Sequence, residues 1–239
     1  MTPLDPLFWT ALLKIIGVNI ILSGDNAVVI ALAARSLPAH QQKRAIIWGS
    51  GAAIIMRIVL TAFAVALLQF PYLKIVGAVL LVWIGIKLLV PDDGEEHIAS
   101  HENLGAAIKT ILIADLVMSV DNVIAVAAAA KDNVTLLILG LAISIPLIIF
   151  ASTLLLKLME RFPIIITVGA GLLGFVAGEM AITDPINKHW IEQHAAWMEY
   201  VVPVAGALLV VLVGTQIAKR KKNLNQHHQV AEQTSSASG

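Results

Sequence analysis

Seven stretches of near-continuous apolar residues divide the chain, at about 8–34, 45–69, 72–90, 105–130, 134–156, 163–183 and 200–218. Each approaches or exceeds the ~20 residues that a helix needs to cross a bilayer, and none alternates with period two as a barrel strand does. The pattern predicts an all-α polytopic membrane protein with seven transmembrane helices. Asp5 precedes the first stretch and no basic residue stands before Lys14, so that stretch reads as a retained span rather than a cleaved signal peptide. After Ala218 the character changes. Lys219, Arg220, Lys221 and Lys222 lead into NLNQHHQVAEQTSSASG, so 219–239 reads as a basic, then polar, disordered cytoplasmic tail. His227 and His228 within it read as solvated groups.

The polar positions that interrupt the apolar stretches are themselves repeated. NIILSGDNAVVIALAAR (19–35) aligns without a gap on DLVMSVDNVIAVAAAAK (115–131), at an offset of 96. Asn19 then faces Asp115, Ser23 faces Ser119, Asp25 faces Asp121, Asn26 faces Asn122, and Arg35 faces Lys131. Further on, FPYLKIVGAVLLVWIGIKL (70–88) matches FPIIITVGAGLLGFVAGEM (162–180) at an offset of 92. Two three-helix repeats, 8–90 and 105–183, followed by a seventh helix at 200–218, make one transmembrane domain over 1–218. Because three is odd, the second repeat enters the membrane upside down relative to the first. Inverted repeats of this kind place a binding site near the midplane in many secondary transporters.

Composition supports the membrane reading. Apolar residues make up 58% of the chain and charged residues 13%, against about 25% charged in soluble domains. Mean hydropathy is +0.85. Lys plus Arg equals Asp plus Glu, which argues against a nucleic-acid partner. The chain has no cysteine, so disulfides, zinc-thiolate sites and thiol nucleophiles are excluded. An enzyme is not expected. Asp25 follows Leu22, Ser23 and Gly24 rather than the G-x-G of an intramembrane aspartyl protease, and neither a phosphate-binding loop nor a nucleophile elbow appears.

Charge also sets the expected orientation. With seven spans, one side of the membrane receives Arg35, Lys43, Arg44, Lys87, Lys109, Lys157, Arg161 and the four basic residues after Ala218. The other side receives Lys14, Lys74, Lys131 and Lys188. The richer side should be cytoplasmic, with the N-terminus outside and the C-terminus inside. The acidic loop PDDGEEHIASHEN (91–103) then faces the cytoplasm, as a solvated linker or a weak cation-collecting vestibule.

Within the spans stand Asp25, Asp115, Asp121, Glu179, Arg57 and Lys87. A charge at the bilayer centre costs about 2.5–3.5 kcal/mol on insertion scales, so such groups pair, neutralise or line a hydrated path. Asn19, Ser23 and Asn26 fall on one helix face, and Asp115, Ser119 and Asn122 form the counterpart, with Asp25 and Asp121 flanking the two stripes. Together these segments offer carboxylates, carboxamides and hydroxyls, with no thiol and no imidazole at that depth. Oxygen-only ligation favours hard or borderline divalent cations such as magnesium, calcium or manganese. When such an ion leaves, crowded and desolvated carboxylates favour a proton in its place, the basis of a cation/proton exchange. Helix-to-helix hydrogen bonding is the alternative role for the same side chains. Arg57 reads as a neutraliser of one buried carboxylate or as a gate. Lys87 and Glu179 lie near span ends, where long side chains reach the interface. Glu179 is the further candidate for an acidic ligand or proton carrier.

LSGDNAVVIALAAR and ADLVMSVDNVIAVAAAAK resemble the two signature motifs of the TerC family of bacterial integral membrane proteins. The resemblance extends over about 8–218 and is nearest to its smaller, YjbE-like branch. It implies an inner-membrane protein linked to manganese homeostasis and tellurium resistance, similar to manganese(II) exporters. It also implies an ion site formed by Asp25, Asn26, Asp121 and Asn122, with Asp115 and Asn19 as neighbours. On the residues alone, Ser23, Ser119, Glu179 and Arg57 are the candidates for supporting that site or carrying protons. The expected partners are a divalent metal cation, protons and the lipid bilayer, with no permanently bound cofactor; a homo-oligomer is compatible with the pattern. Two alternatives remain open: a non-transporting membrane scaffold of a stress-response complex, and a calcium or magnesium carrier.

Overall fold

The computed structural model describes residues 8–10, 12, 13, 16, 17, 24–63, 70–90, 100–130 and 134–236, with the side chains at 62, 100–103, 121–130, 134–137, 141 and 224–236 outside the description. The described residues form helices α1 (Gly24–Ala34), α2 (Ala39–Ala62), α3 (Leu73–Leu89), α4 (Ser100–Ala130), α5 (Val134–Arg161), α6 (Ile164–Ile182), α7 (Pro185–His194) and α8 (Met198–Ser236). Four of these regions are long and apolar enough to cross a membrane: Ala39–Thr61, Ile138–Arg161, Ile164–Ile182 and Met198–Asn223. The α1 segment is a shorter apolar helix, and α3 has 17 residues.

Polarity is distributed inside out. Large apolar side chains lie exposed on the outer faces, among them Ile55, Val59, Trp83, Phe150, Leu208 and Leu212. Asn26, Arg57, Asp115, Ser119 and Asp184 are buried. Hydrocarbon is a good solvent for the first group and a poor one for the second.

Breaks in the helices follow proline and turn chemistry. Pro38 precedes α2, Pro163 precedes α6, and Asp184 caps α7 with Pro185 at its first position, where a missing N–H costs nothing. The short helix α7 was not expected from hydropathy, because its polar PINKHWIEQH stretch carries no apolar run. Helix α4 begins at Ser100, so the end of the acidic 91–103 segment is helical. Beyond Ala218 the chain departs from the expected disordered tail, since α8 continues to Ser236. No Gly or Pro interrupts 219–236, and its Lys, Gln and Glu residues extend a helix already nucleated by the apolar part.

Helix α1 packs on α5 and α2 on α4; α1 also meets α4, α2 meets α5, and α3 lies against α6. Helix α3 touches α4 as α6 touches α1, and α8 packs on α6 and α3. Small residues permit these approaches. A Cβ on Gly77 would lie 2.8 Å from a Val117 methyl, and one on Gly169 would lie 2.7 Å from a Val28 methyl. Between α6 and α8 the backbones themselves meet: a Cβ on Gly206 would stand 2.2 Å from the Gly174 carbonyl oxygen. Arg35 at the end of α1 donates to the Leu88 carbonyl at 2.9 Å, a cation placed where a helix C-terminus exposes its carbonyls.

Asp184 ties two helices together. Fully buried, it caps α7 by accepting from Ile186 N at 3.0 Å, and it accepts from Tyr72 N at 3.2 Å, Lys74 N at 3.1 Å and Ile75 N at 3.4 Å. Helix α3 has no side-chain cap of its own, and its N-cap residue Tyr72 adopts φ 67°. Asp184 therefore supplies the oxygens for both helix starts. An Asp184→Ala variant is expected to lose about 3 kcal/mol through these orphaned amides, and Asp184→Asn distinctly less. Thermal unfolding in detergent checks the order, and equal loss in both variants would contradict it.

Candidate functional site

The interior polar groups converge where α1, α2 and α4 meet. Asp115 and Ser119 stand one turn apart on α4, so both point to one side. Arg57 reaches them from α2. Its Nη2 lies 2.5 Å from Asp115 Oδ1, its Nε donates to Ser119 Oγ at 3.1 Å, and Ser119 Oγ donates to Asp115 Oδ2 at 3.2 Å. The three side chains close a triangle in which both carboxylate oxygens are engaged. Arg57 is 2% exposed and Asp115 6%. Thr61, one turn beyond Arg57, donates to the Arg57 carbonyl at 2.7 Å.

Asp25 enters from the start of α1. It is half-buried and accepts from Asn26 N at 2.8 Å, and Asn26 is 3% exposed. Asp25 lies within Coulombic reach of both Arg57 and Asp115. Further along the Arg57 face of α2, seven residues earlier, the buried Ser50 hydroxyl has no hydrogen-bond partner among the described residues, and the same is true of Ser152 on α5.

The expected site residues are thus placed unevenly. Arg57, Asp115 and Ser119 come together, with Asp25 within Coulombic reach and Asn26 beside it in α1. Asn19 and Ser23 lie outside the described residues. Asp121 and Asn122 belong to α4, two and three residues past Ser119, with their side chains outside the description. Glu179 is exposed and lines an open cleft of about 500 Å³ with Lys74, Lys188, Glu192, Glu199 and Tyr200; that cleft shares no residue with the Asp25–Arg57–Asp115 cluster. Lys87 is exposed beside the Trp83 ring, 5.4 Å from its centroid. Among the described residues no three His, Cys, Asp or Glu side chains gather in a metal-binding group. Among the described side chains, the oxygens available to a cation here are those of Asp25, the carboxamide of Asn26, and an Asp115 carboxylate that Arg57 already engages.

Sequence reading left open which carboxylate Arg57 meets, and it missed Asp184. The Asp184–Pro185 dipeptide is a helix-start signal in its own right, although nothing local announces that the same carboxylate also serves α3.

Comparison with known proteins places this chain in a family. The family model described as the integral membrane protein TerC family matches residues 4–223. Membrane protein YjbE of Bacillus subtilis is 43% identical over 202 residues, which cover 84% of this chain and 92% of that protein. Membrane protein YceF of the same organism is 25% identical over 98% of this chain and 89% of its own length. The inner membrane protein YoaE of Escherichia coli K12 is 23% identical over 91% of this chain, which spans 44% of that longer protein. No solved structure matches.

Proposed function

This chain belongs to the TerC family of integral membrane proteins, and on that premise we propose that it exports a hard divalent cation, manganese(II) in first place, from the cytoplasm in exchange for protons. The observation that carries the reading is the buried cluster of Asp25, Asn26, Arg57, Asp115 and Ser119 at the meeting of three helices. Carboxylates and amides at such depth are costly unless they pair or serve a passing charge. Their oxygen-only character suits manganese, magnesium or calcium better than zinc or copper.

The proposed architecture is seven membrane helices in two inverted repeats. Its support is the pattern of contacts. Exchanging α1 with α4, α2 with α5 and α3 with α6 turns the α1–α5 contact into α4–α2, and the α3–α4 contact into α6–α1. The α1–α4, α2–α5 and α3–α6 contacts map onto themselves. A pseudo-twofold axis through the middle of the protein has this consequence, and the registered D-N motifs supply its sequence counterpart. The proposed orientation is N-terminus outside and C-terminus in the cytoplasm of a bacterial inner membrane, on the distribution of lysine and arginine.

In this mechanism the ion loses its water to Asp25, Asp121 and the adjoining amides of Asn26 and Asn122, and the two repeats rock to release it outward. Tellurite is an oxyanion, and a carboxylate-lined site repels it, so any tellurium phenotype would be indirect. Proteoliposomes with an imposed pH gradient test the proposal. Manganese(II) should accumulate down the exchange gradient, with magnesium and calcium competing less well. Equal transport of all three would move the assignment to a general divalent carrier, and no transport by folded protein would sink it in favour of a scaffold.

A further inference from the structure

Arg57 and Asp115 break the symmetry of the repeat in a compensating way. Asn19 stands opposite Asp115, so the motif segment 115–131 carries one acidic group more than its counterpart 19–35. Arg57 is the one charged residue within 45–69, and 134–156 contains none. The structure joins these two unmatched charges to each other. Setting them aside leaves the matched pair Asp25 and Asp121, counted from the sequence, whose charge of −2 equals that of one divalent cation.

The ion pair has no obvious reason to exist as a clamp. Burying two charges costs several kcal/mol per ion, and well-packed apolar replacements are often as stable or more so. Nor is the pair sealed off, since Asp25 lies within Coulombic reach of both members. Arg57 is permanently charged and planar, and with Ser119 it engages both Asp115 oxygens. A cation arriving at Asp25 repels the guanidinium and attracts the Asp115 carboxylate.

We propose that Arg57 is a tethered cation that competes with the transported divalent ion for the Asp115 carboxylate, and so keeps the site from holding its cargo too tightly. This rests on the transport reading above. A carrier needs binding strong enough to load and weak enough to release, and an internal competitor supplies the second condition without removing any ligand. Ser119, bonded to both partners, keeps the carboxylate in place while the guanidinium moves.

The test uses the full chain in detergent, with manganese(II) as the probe, and reads equilibrium binding and the manganese-dependent thermal shift. Arg57→Gln should bind the ion about tenfold more tightly than wild type, turn over more slowly in proteoliposomes, and recover its lost thermal stability when manganese is added. Arg57→Lys should fall between, because a point charge cannot engage Asp115 and Ser119 together. Asp115→Asn should bind more weakly than wild type, with Arg57 left unneutralised beside Asp25, and the Arg57→Gln/Asp115→Asn double variant should regain wild-type affinity. If Arg57→Gln fails to fold, Arg57→Lys and the double variant carry the same comparison. Unchanged or weaker binding in the Arg57 variants, or stability that manganese does not restore, would make the pair a structural clamp and overturn the proposal. A wild type that moves no divalent cation sinks the transport reading itself. A wild type that transports while Arg57→Gln binds no more tightly sinks only the competitor.

Discussion

An Arg57→Ala variant is expected to lose about 3–5 kcal/mol of stability in the absence of metal, because it leaves Asp115 buried without its counter-ion. Asp115→Asn is expected to lose a similar amount by stranding the guanidinium. The Arg57→Ala/Asp115→Asn double variant should lose much less than the two single losses added together, since neither remaining side chain carries a charge. Ser119 sits between the partners and remains able to bond with an Asn at 115, which limits the residual cost. Thermal midpoints of the purified protein in one detergent, without added divalent cation, complete the cycle. Additive losses would mean that the two residues do not feel each other, contrary to the 2.5 Å contact between them.

The second large effect is expected at the α6–α8 seam. Gly206→Leu forces a branched side chain into the space held by the Gly174 carbonyl, where even a Cβ would stand 2.2 Å away. Gly178 meets the backbone of Val202 and Pro203 at 2.6 and 2.5 Å by the same measure, so the clash cannot be relieved by sliding α8 along α6. Backbone has no rotamer to change, and the helices must separate. A loss at or above about 3 kcal/mol, the upper end of overpacking costs, is expected, with α8 becoming susceptible to protease. Two neighbours serve as controls. A Cβ on Gly214 meets only the Leu89 side chain, at 2.7 Å, and Gly214→Ala should cost far less. No described residue lies within 4 Å of a Cβ on Gly51, so Gly51→Ala should be neutral or gain up to about 1 kcal/mol from helix propensity.

The features legible from sequence are those written in local pattern. Apolar runs located the four long apolar helices, and the doubled S-x-D-N segments drew attention to Asp115 and Ser119, which the fold joins to Arg57. What could not be read depends on distant partners. Arg57 and Asp115 are 58 positions apart, and nothing in either segment chooses Asp115 over Asp25 or Asp121. Asp184 announces the start of α7, but its service to Tyr72, Lys74 and Ile75 appears only once α3 and α7 are packed together. The glycines of α6 read as generic close-packing residues until α8 is laid against them. The tail differs from its reading because polar composition alone looks disordered, whereas a helix already nucleated across an apolar stretch can propagate into a run without Gly or Pro.

Manganese(II) flux through Asp25→Asn protein in proteoliposomes, beside wild type and Asp25→Glu, tests the central claim most directly. Asp25 is chosen because it is half-buried, lies within reach of the Arg57–Asp115 pair, and is not itself held by an ion-pair contact among the described residues. Its neutralisation should therefore remove a ligand without stranding a charge. The account predicts flux at the level of empty vesicles for Asp25→Asn, partial flux for Asp25→Glu, and unchanged folding in both. Wild-type flux through folded Asp25→Asn would contradict it, and would return the buried carboxylates to the role of helix-to-helix contacts.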